Sequence, residues 1–182
     1  MIIIPGMPKS GTTYLTHKLA RAGATMFKER QEHYEDTVLL DKLIEAFVQE
    51  YRFDKWWAFD HSKALQDRVR EILKGQKTGF KNPRLIGFLP LIGEMFPDAK
   101  IVICTRSFSD WSSSVSRHKS RHMDEIVNYY WWAMDYIEWH KKGLGAHVVH
   151  YNTFDTAGEQ RSLNKYLGMR IKYKDFKPRK IN

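Results

Sequence analysis

Short apolar runs alternate along the chain with stretches whose apolar residues recur at helical spacing. Ile2, Ile3 and Ile4 form the first run, and Pro5 with Gly6 closes it, so the pattern predicts a strand entering a turn. Further strands are predicted over 24–27, 77–80, 100–105 and 146–150, and helices over 12–22, 37–50, 62–74, 85–96, 124–142 and 158–167. Gly23 stops the first helix; Ser62 and Gly75 bracket the third as cap and stop. Residues 37–50 carry Leu39, Leu40, Leu43, Ile44, Phe47 and Val48 at helical period. In the longest helix Met123, Ile126, Val127, Tyr130, Trp131, Met134 and Ile137 mark an apolar face that reads as core rather than as a cofactor surface. Ile101, Val102, Ile103 and Cys104 are apolar without alternation, which predicts a strand buried on both faces, as in a parallel sheet. The expected fold class is therefore α/β, a parallel β-sheet flanked by helices. Ligands of such sheets bind at the carboxyl ends of the strands. Lys9 follows the first predicted strand, Glu29 and Glu32 the second, Lys81 the third and Arg106 the fourth.

The turn after the first strand reads Pro5-Gly-Met-Pro-Lys-Ser-Gly-Thr-Thr13. A glycine-containing turn that opens a helix aims backbone N–H groups at one point, where the helix dipole adds positive potential and Lys9 a full charge. The pattern predicts a phosphate or sulfate site. A nucleoside-triphosphate loop would follow its second glycine with lysine and then a magnesium-binding hydroxyl. Here Thr12 stands in the lysine position, and the lysine sits earlier, at Lys9.

Pro8-Lys-Ser-Gly-Thr-Thr13 resembles the 5′-phosphosulfate loop of sulfotransferases that use 3′-phosphoadenosine 5′-phosphosulfate (PAPS). Residues 96–106, ending in Thr105-Arg106 and continuing to Ser114, are similar to the family's 3′-phosphate motif. Lys81-Asn-Pro-Arg84 resembles an element of the heparan-sulfate-type branch. Together these segments cover roughly residues 1–155. The resemblance implies a P-loop NTPase-like sulfotransferase fold, PAPS as co-substrate and no metal. It implies that Lys9 contacts the leaving group and that Ser10, Gly11, Thr12 and Thr13 hold the 5′-phosphate. Arg106 and Ser114 would hold the 3′-phosphate, and Lys81 would reach the transferring sulfonate or the base. Arginine suits a phosphate because its planar fork grips two oxygens; the competing reading is an Arg106–Asp110 ion pair. Trp111 departs from the family's proline-rich turn and would shield adenosine or pack. Tyr151 resembles a family tyrosine near the adenine, although the acidic pair that follows it there is replaced by Asn152 and Thr153. The general base is open between Glu29, Glu32 and His33, a histidine suiting proton transfer through its pKa.

At 182 residues one domain, 1–182, is expected, with a basic tail over about 170–182 where Arg170, Lys172, Lys174, Lys177, Arg179 and Lys180 face Asp175 alone. The net charge of +9 suits an anionic donor or acceptor. No nucleic-acid motif accompanies it, so no nucleic-acid partner is expected. The chain shows no signal peptide and no apolar run near the ~20 residues that span a bilayer. With Cys104 as its single cysteine, a soluble cytoplasmic protein is expected. The acceptor, a small molecule or a saccharide, would meet loops near 29–37, 51–62 and 115–124. The middle loop is aromatic; Arg117, His118, Lys119, Arg121 and His122 in the last favour an acidic group. Two other functions compete: a non-catalytic PAPS-binding protein, and a small-molecule P-loop kinase, which lacks support because its lysine is displaced and Thr105-Arg106 stand where an acidic residue would follow the fourth strand.

Overall fold

A computed structural model describes residues 1–26, 42, 45, 46, 62–116 and 123–171. Strand β1 (Ile2–Ile4) leads into helix α1 (Thr12–Arg21); α2 (Lys63–Leu73) precedes β2 (Phe80–Lys81). A 3₁₀ turn (Pro83–Phe88) and α3 (Leu89–Met95) lead to β3 (Lys100–Thr105). Helices α4 (Phe108–Ser116) and α5 (Met123–Lys141) come next, then β4 (His147–His150), a 3₁₀ turn (Tyr151–Thr153) and α6 (Ala157–Leu167). The four strands are parallel in the order β2-β1-β3-β4. The expected α/β fold with a parallel sheet flanked by helices is what forms.

The unbroken apolar run of β3 is explained by its two covered faces. Ile101 and Ile103 join one core with Leu65, Leu89, Trp111, Ile126 and Ile137 from α2–α5. Val102 and Cys104 point the other way and join Leu15, Leu19 and Leu163 from α1 and α6. Successive strand side chains face opposite sides, so a strand between two helical layers must be apolar at every position. Tyr166 ties α6 to the sheet, its hydroxyl accepting from the Ile101 N–H at 3.0 Å and donating to the Ile101 carbonyl at 3.2 Å.

Several sequence expectations need correction. The strand expected over 24–27 is a single parallel bridge, Met26 to Gly79, among the described residues. The strand expected over 77–80 shifts to Phe80–Lys81, because register with β1 pairs Ile3 with Phe80 and Ile4 with Lys81. The helix expected over 85–96 divides into the 3₁₀ turn and α3, with Pro90 in the first turn of α3. Trp131 is not core: it is 57% exposed, and the buried stripe of α5 runs through Ile126, Tyr129, Tyr130, Ala133 and Ile137. Of the helix expected over 37–50, residues 42, 45 and 46 are described and helical, and Ala46 is buried in the core. The cap expected at Ser62 forms, its hydroxyl accepting from the Leu65 N–H at 3.1 Å. Among the described residues, no helix is long and apolar enough to cross a membrane.

Burial pushes the Cys104 thiol up to about 12, with the neighbouring Lys81 charge acting weakly against it. The thiol is therefore expected to resist a disulfide-exchange reagent in buffer at pH 8 and to react fully in denaturing urea. Rapid stoichiometric labelling of the native protein would contradict the burial of β3.

Candidate functional site

The order of the strands decides where the site lies. From β1 the chain goes to β2 on one side, then returns to β3 on the other. Connections leave in opposite directions at that point, and in sheets of this kind ligands bind beside the carboxyl ends of the two strands, here β1 and β3. The segment after β1 and Arg106 after β3 meet there.

The loop between β1 and α1 is sewn onto the end of β3. Gly6 bridges Cys104, Cys104 N–H donates to the Pro5 carbonyl at 3.3 Å, and Met7 N–H donates to the Cys104 carbonyl at 3.3 Å. A Cβ at Gly6 would come within 2.9 Å of the Cys104 carbonyl, so glycine permits the approach. The Ser10 hydroxyl and N–H both turn back onto the Met7 carbonyl, at 2.6 and 3.1 Å. Lys9 adopts a φ of 65°, the left-handed region, and Gly11 a φ of 92°. A Cβ at Gly11 would also run into the Tyr151 ring.

Helix α1 begins at Gly11 with no side-chain cap and no acidic residue in its first turn. Helices α2 and α6 are capped by Ser62 and Thr156. The first-turn amides of α1 thus keep their partial positive charge for another acceptor. Lys81, 2% exposed, sends its ammonium to the Thr13 hydroxyl at 3.1 Å. This places a buried ammonium beside an uncapped helix N-terminus, two features that favour negative charge. Lys9 is exposed, its carbonyl facing Arg106.

Arg106 donates through Nη1 to the Lys9 carbonyl at 3.3 Å, and its guanidinium lies 4.7 Å from the centre of the Tyr151 ring. Its Nε is buried with no hydrogen-bond partner. The alternative Arg106–Asp110 ion pair is not what forms. Asp110 instead accepts from Asn152 and, at 3.0 Å, from the Ser107 hydroxyl. Those bonds, Asn152 first, hold its carboxyl below the ordinary value, with a smaller contribution from the Arg106 charge. Asn152 also accepts from the Ser107 N–H at 3.3 Å, which locks the turn after β4 onto the start of α4. Ser114 lies partly buried on α4, beyond Trp111. Trp111 packs rather than shields: it is 2% exposed, stacks on Tyr129 at 5.7 Å, and donates its indole N–H to the Pro8 carbonyl at 2.6 Å.

The fold thus brings Lys9, Ser10, Gly11, Thr12, Thr13, Lys81, Arg106 and Tyr151 to one end of the sheet. Glu29, Glu32 and His33, the loop at 51–61, the Arg84 side chain, residues 117–122 and the tail at 172–182 lie outside the described residues. Asn152 and the clamping role of Trp111 escaped the sequence reading. Neither carries a local signal, since each acts through partners far away in the chain.

The structure is similar to that of sulfotransferase STF9 from Mycobacterium avium, with a TM-score of 0.51 and 15% identity. The match covers 92% of this chain and 63% of that protein. At that identity the likeness speaks for the fold alone. No curated protein matches the sequence significantly. The sulfotransferase domain family model matches residues 1–173, nearly the whole chain, and the protein belongs to that family.

Proposed function

We propose that this chain, as a single domain, transfers a sulfuryl group from PAPS to a hydroxyl or amine acceptor, in line and without a metal. One observation carries the reading: the loop from Lys9 to Thr13, which opens the uncapped N-terminus of α1, is contacted by the buried Lys81 ammonium at Thr13 and by Arg106, whose Nε has no partner, at the Lys9 carbonyl. The donor would supply an activated sulfuryl unit on a 5′-phosphate and a 3′-phosphate as handle. Gly11, Thr12 and Thr13 would hold the 5′-phosphate, and Arg106 with Ser114 the 3′-phosphate; Ser10, expected from the sequence to share the 5′-phosphate, has its hydroxyl and N–H on the Met7 carbonyl and would shape the turn. Tyr151 would keep the guanidinium oriented from below.

Sulfuryl transfer passes through a loose transition state in which negative charge grows on the leaving oxygen. Lys9 and Lys81 are the cations suited to that charge. Lys81 has the stronger effect, because a desolvated ammonium interacts through a low effective dielectric and needs no reorganisation. The acceptor proton would go to Glu29, Glu32 or His33. The Lys81-Asn-Pro-Arg84 element favours a glutamate, as in the heparan-sulfate-type branch. The acceptor is a small molecule or saccharide, with an acidic group favoured by the basic residues at 117–122. A cytoplasmic setting suits the lone, buried thiol. A phosphoryl-transfer reading has less support, because Thr12 stands in place of the lysine of a magnesium–nucleotide loop.

Calorimetry in EDTA should show 3′-phosphoadenosine 5′-phosphate binding far more tightly than ATP; equal or tighter ATP binding would sink the donor assignment. Arg106→Ala should weaken binding of the 3′-phosphorylated nucleotide by about 1.5–3 kcal/mol, the range for a hydrogen bond to a charged group. Its preference over adenosine 5′-phosphate should shrink in step, whereas an equal loss for both ligands would make Arg106 structural.

Glu29→Gln, Glu32→Gln and His33→Ala, assayed side by side with labelled PAPS and an acceptor library, should single out one base. That variant should lose ~10²-fold or more in turnover, together with one limb of the pH–rate profile, and keep its donor affinity. Near-normal turnover in all three would move the base elsewhere. Absence of turnover in the wild type, with donor binding intact, would favour a donor-binding protein.

A further inference from the structure

The phosphate loop is held from outside by two hydrogen bonds to consecutive carbonyls. Pro8 accepts from the Trp111 indole at 2.6 Å, and Lys9 accepts from Arg106 at 3.3 Å. Lys9 carries the left-handed φ of 65°, which a residue with a side chain adopts at an energetic penalty. Something must hold the peptide there. The Trp111 bond is short, and its donor is rigid. The indole is 2% exposed, stacked on Tyr129 at 5.7 Å and tilted against Tyr130 at 5.5 Å, so packing holds it in place. In a trans peptide the N–H points opposite to the carbonyl, so a Pro8 carbonyl held on the α4 side turns the Lys9 N–H away from α4, while the next N–H, of Ser10, closes the turn on the Met7 carbonyl. This is the backbone arrangement that makes a concave anion site.

We propose that Trp111 is a positioning residue: by holding the Pro8 carbonyl, its indole N–H keeps the phosphate loop in its anion-receiving shape and so sets 5′-phosphate affinity. The inference rests on the donor-site reading above. It concerns one end of the donor, although Trp111 shares α4 with Ser114 at the other end. A general disturbance of α4 would weaken both ends; loss of the Pro8 bond should weaken only the 5′ end.

Trp111→Phe keeps a ring in the stack and removes the donor. A second variant carries 3-benzothienylalanine at position 111, incorporated site-specifically, which preserves the indole shape and replaces N–H by sulfur. Val115→Ala serves as a packing control, since Val115 lies in the same core and touches neither carbonyl bond. The probes are adenosine 5′-phosphate, adenosine 3′-phosphate and inorganic pyrophosphate, titrated by calorimetry alongside thermal melting. Both Trp111 variants should lose about three- to tenfold in affinity for adenosine 5′-phosphate, as expected for one hydrogen bond. They should bind adenosine 3′-phosphate as the wild type does. Val115→Ala should melt earlier yet bind both nucleotides normally. Should Trp111→Phe not fold, the benzothienyl variant decides alone. Unchanged 5′-phosphate affinity in a folded variant, or equal losses at both ends, overturns the proposal. Wild-type binding of pyrophosphate but of neither nucleotide would sink the donor assignment alone, and a loss of pyrophosphate affinity in the variants would still support Trp111. A wild type that binds none of the three overturns both.

Discussion

The pairing of β1 with β3 is the contact on which the rest depends. It runs past the ends of the regular strands, through the Gly6–Cys104 bridge, and so carries the phosphate loop with it. Strand pairing is cooperative and directional, and the register that aligns Ile3 with Ile101 also fixes where Lys9 sits relative to Arg106. Two segments nearly a hundred residues apart are thereby held at one place with little freedom left to lose on binding. Much of the entropic penalty of assembling an anion site is met when the sheet folds.

That arrangement gathers positive groups at the carboxyl ends of the strands. The α1 amides lack a side-chain cap, Lys81 is buried on Thr13, and Arg106 has a guanidinium nitrogen without a partner. A buried donor left without a partner loses hydration and is unfavourable in the fold by itself. Such departures from local rules concentrate at functional sites.

Two side-chain contacts join the ends of the strands. Asn152 locks the β4 turn to α4 through Asp110 and Ser107. Trp111 reaches the loop between β1 and α1 directly, at the Pro8 carbonyl. Both contacts tie together segments at the carboxyl ends of β1, β3 and β4 that are distant in the chain.

The strands β1 and β3, the helices α1, α2 and α6, the parallel sheet and the glycine-containing turn between β1 and α1 were legible in the sequence by itself. They depend on local physics: apolar period, glycine and proline positions, and Ser62 as a cap. The edge of the sheet was not legible. Whether 24–27 pairs along its length or only at Met26 depends on β2, which is distant in the chain. Nor was the exposure of Trp131, since periodicity names a stripe but not its edges, and the neighbouring helices shift the buried face to Tyr129 and Ala133. Whether Arg106 pairs with Asp110 was likewise decided only in three dimensions. Asn152 arrives from the turn after β4 to occupy the carboxylate, and Tyr151 and the Lys9 carbonyl take the guanidinium. Local spacing determines which groups exist at each strand end; only tertiary packing decides which of them satisfy one another and which remain for a ligand.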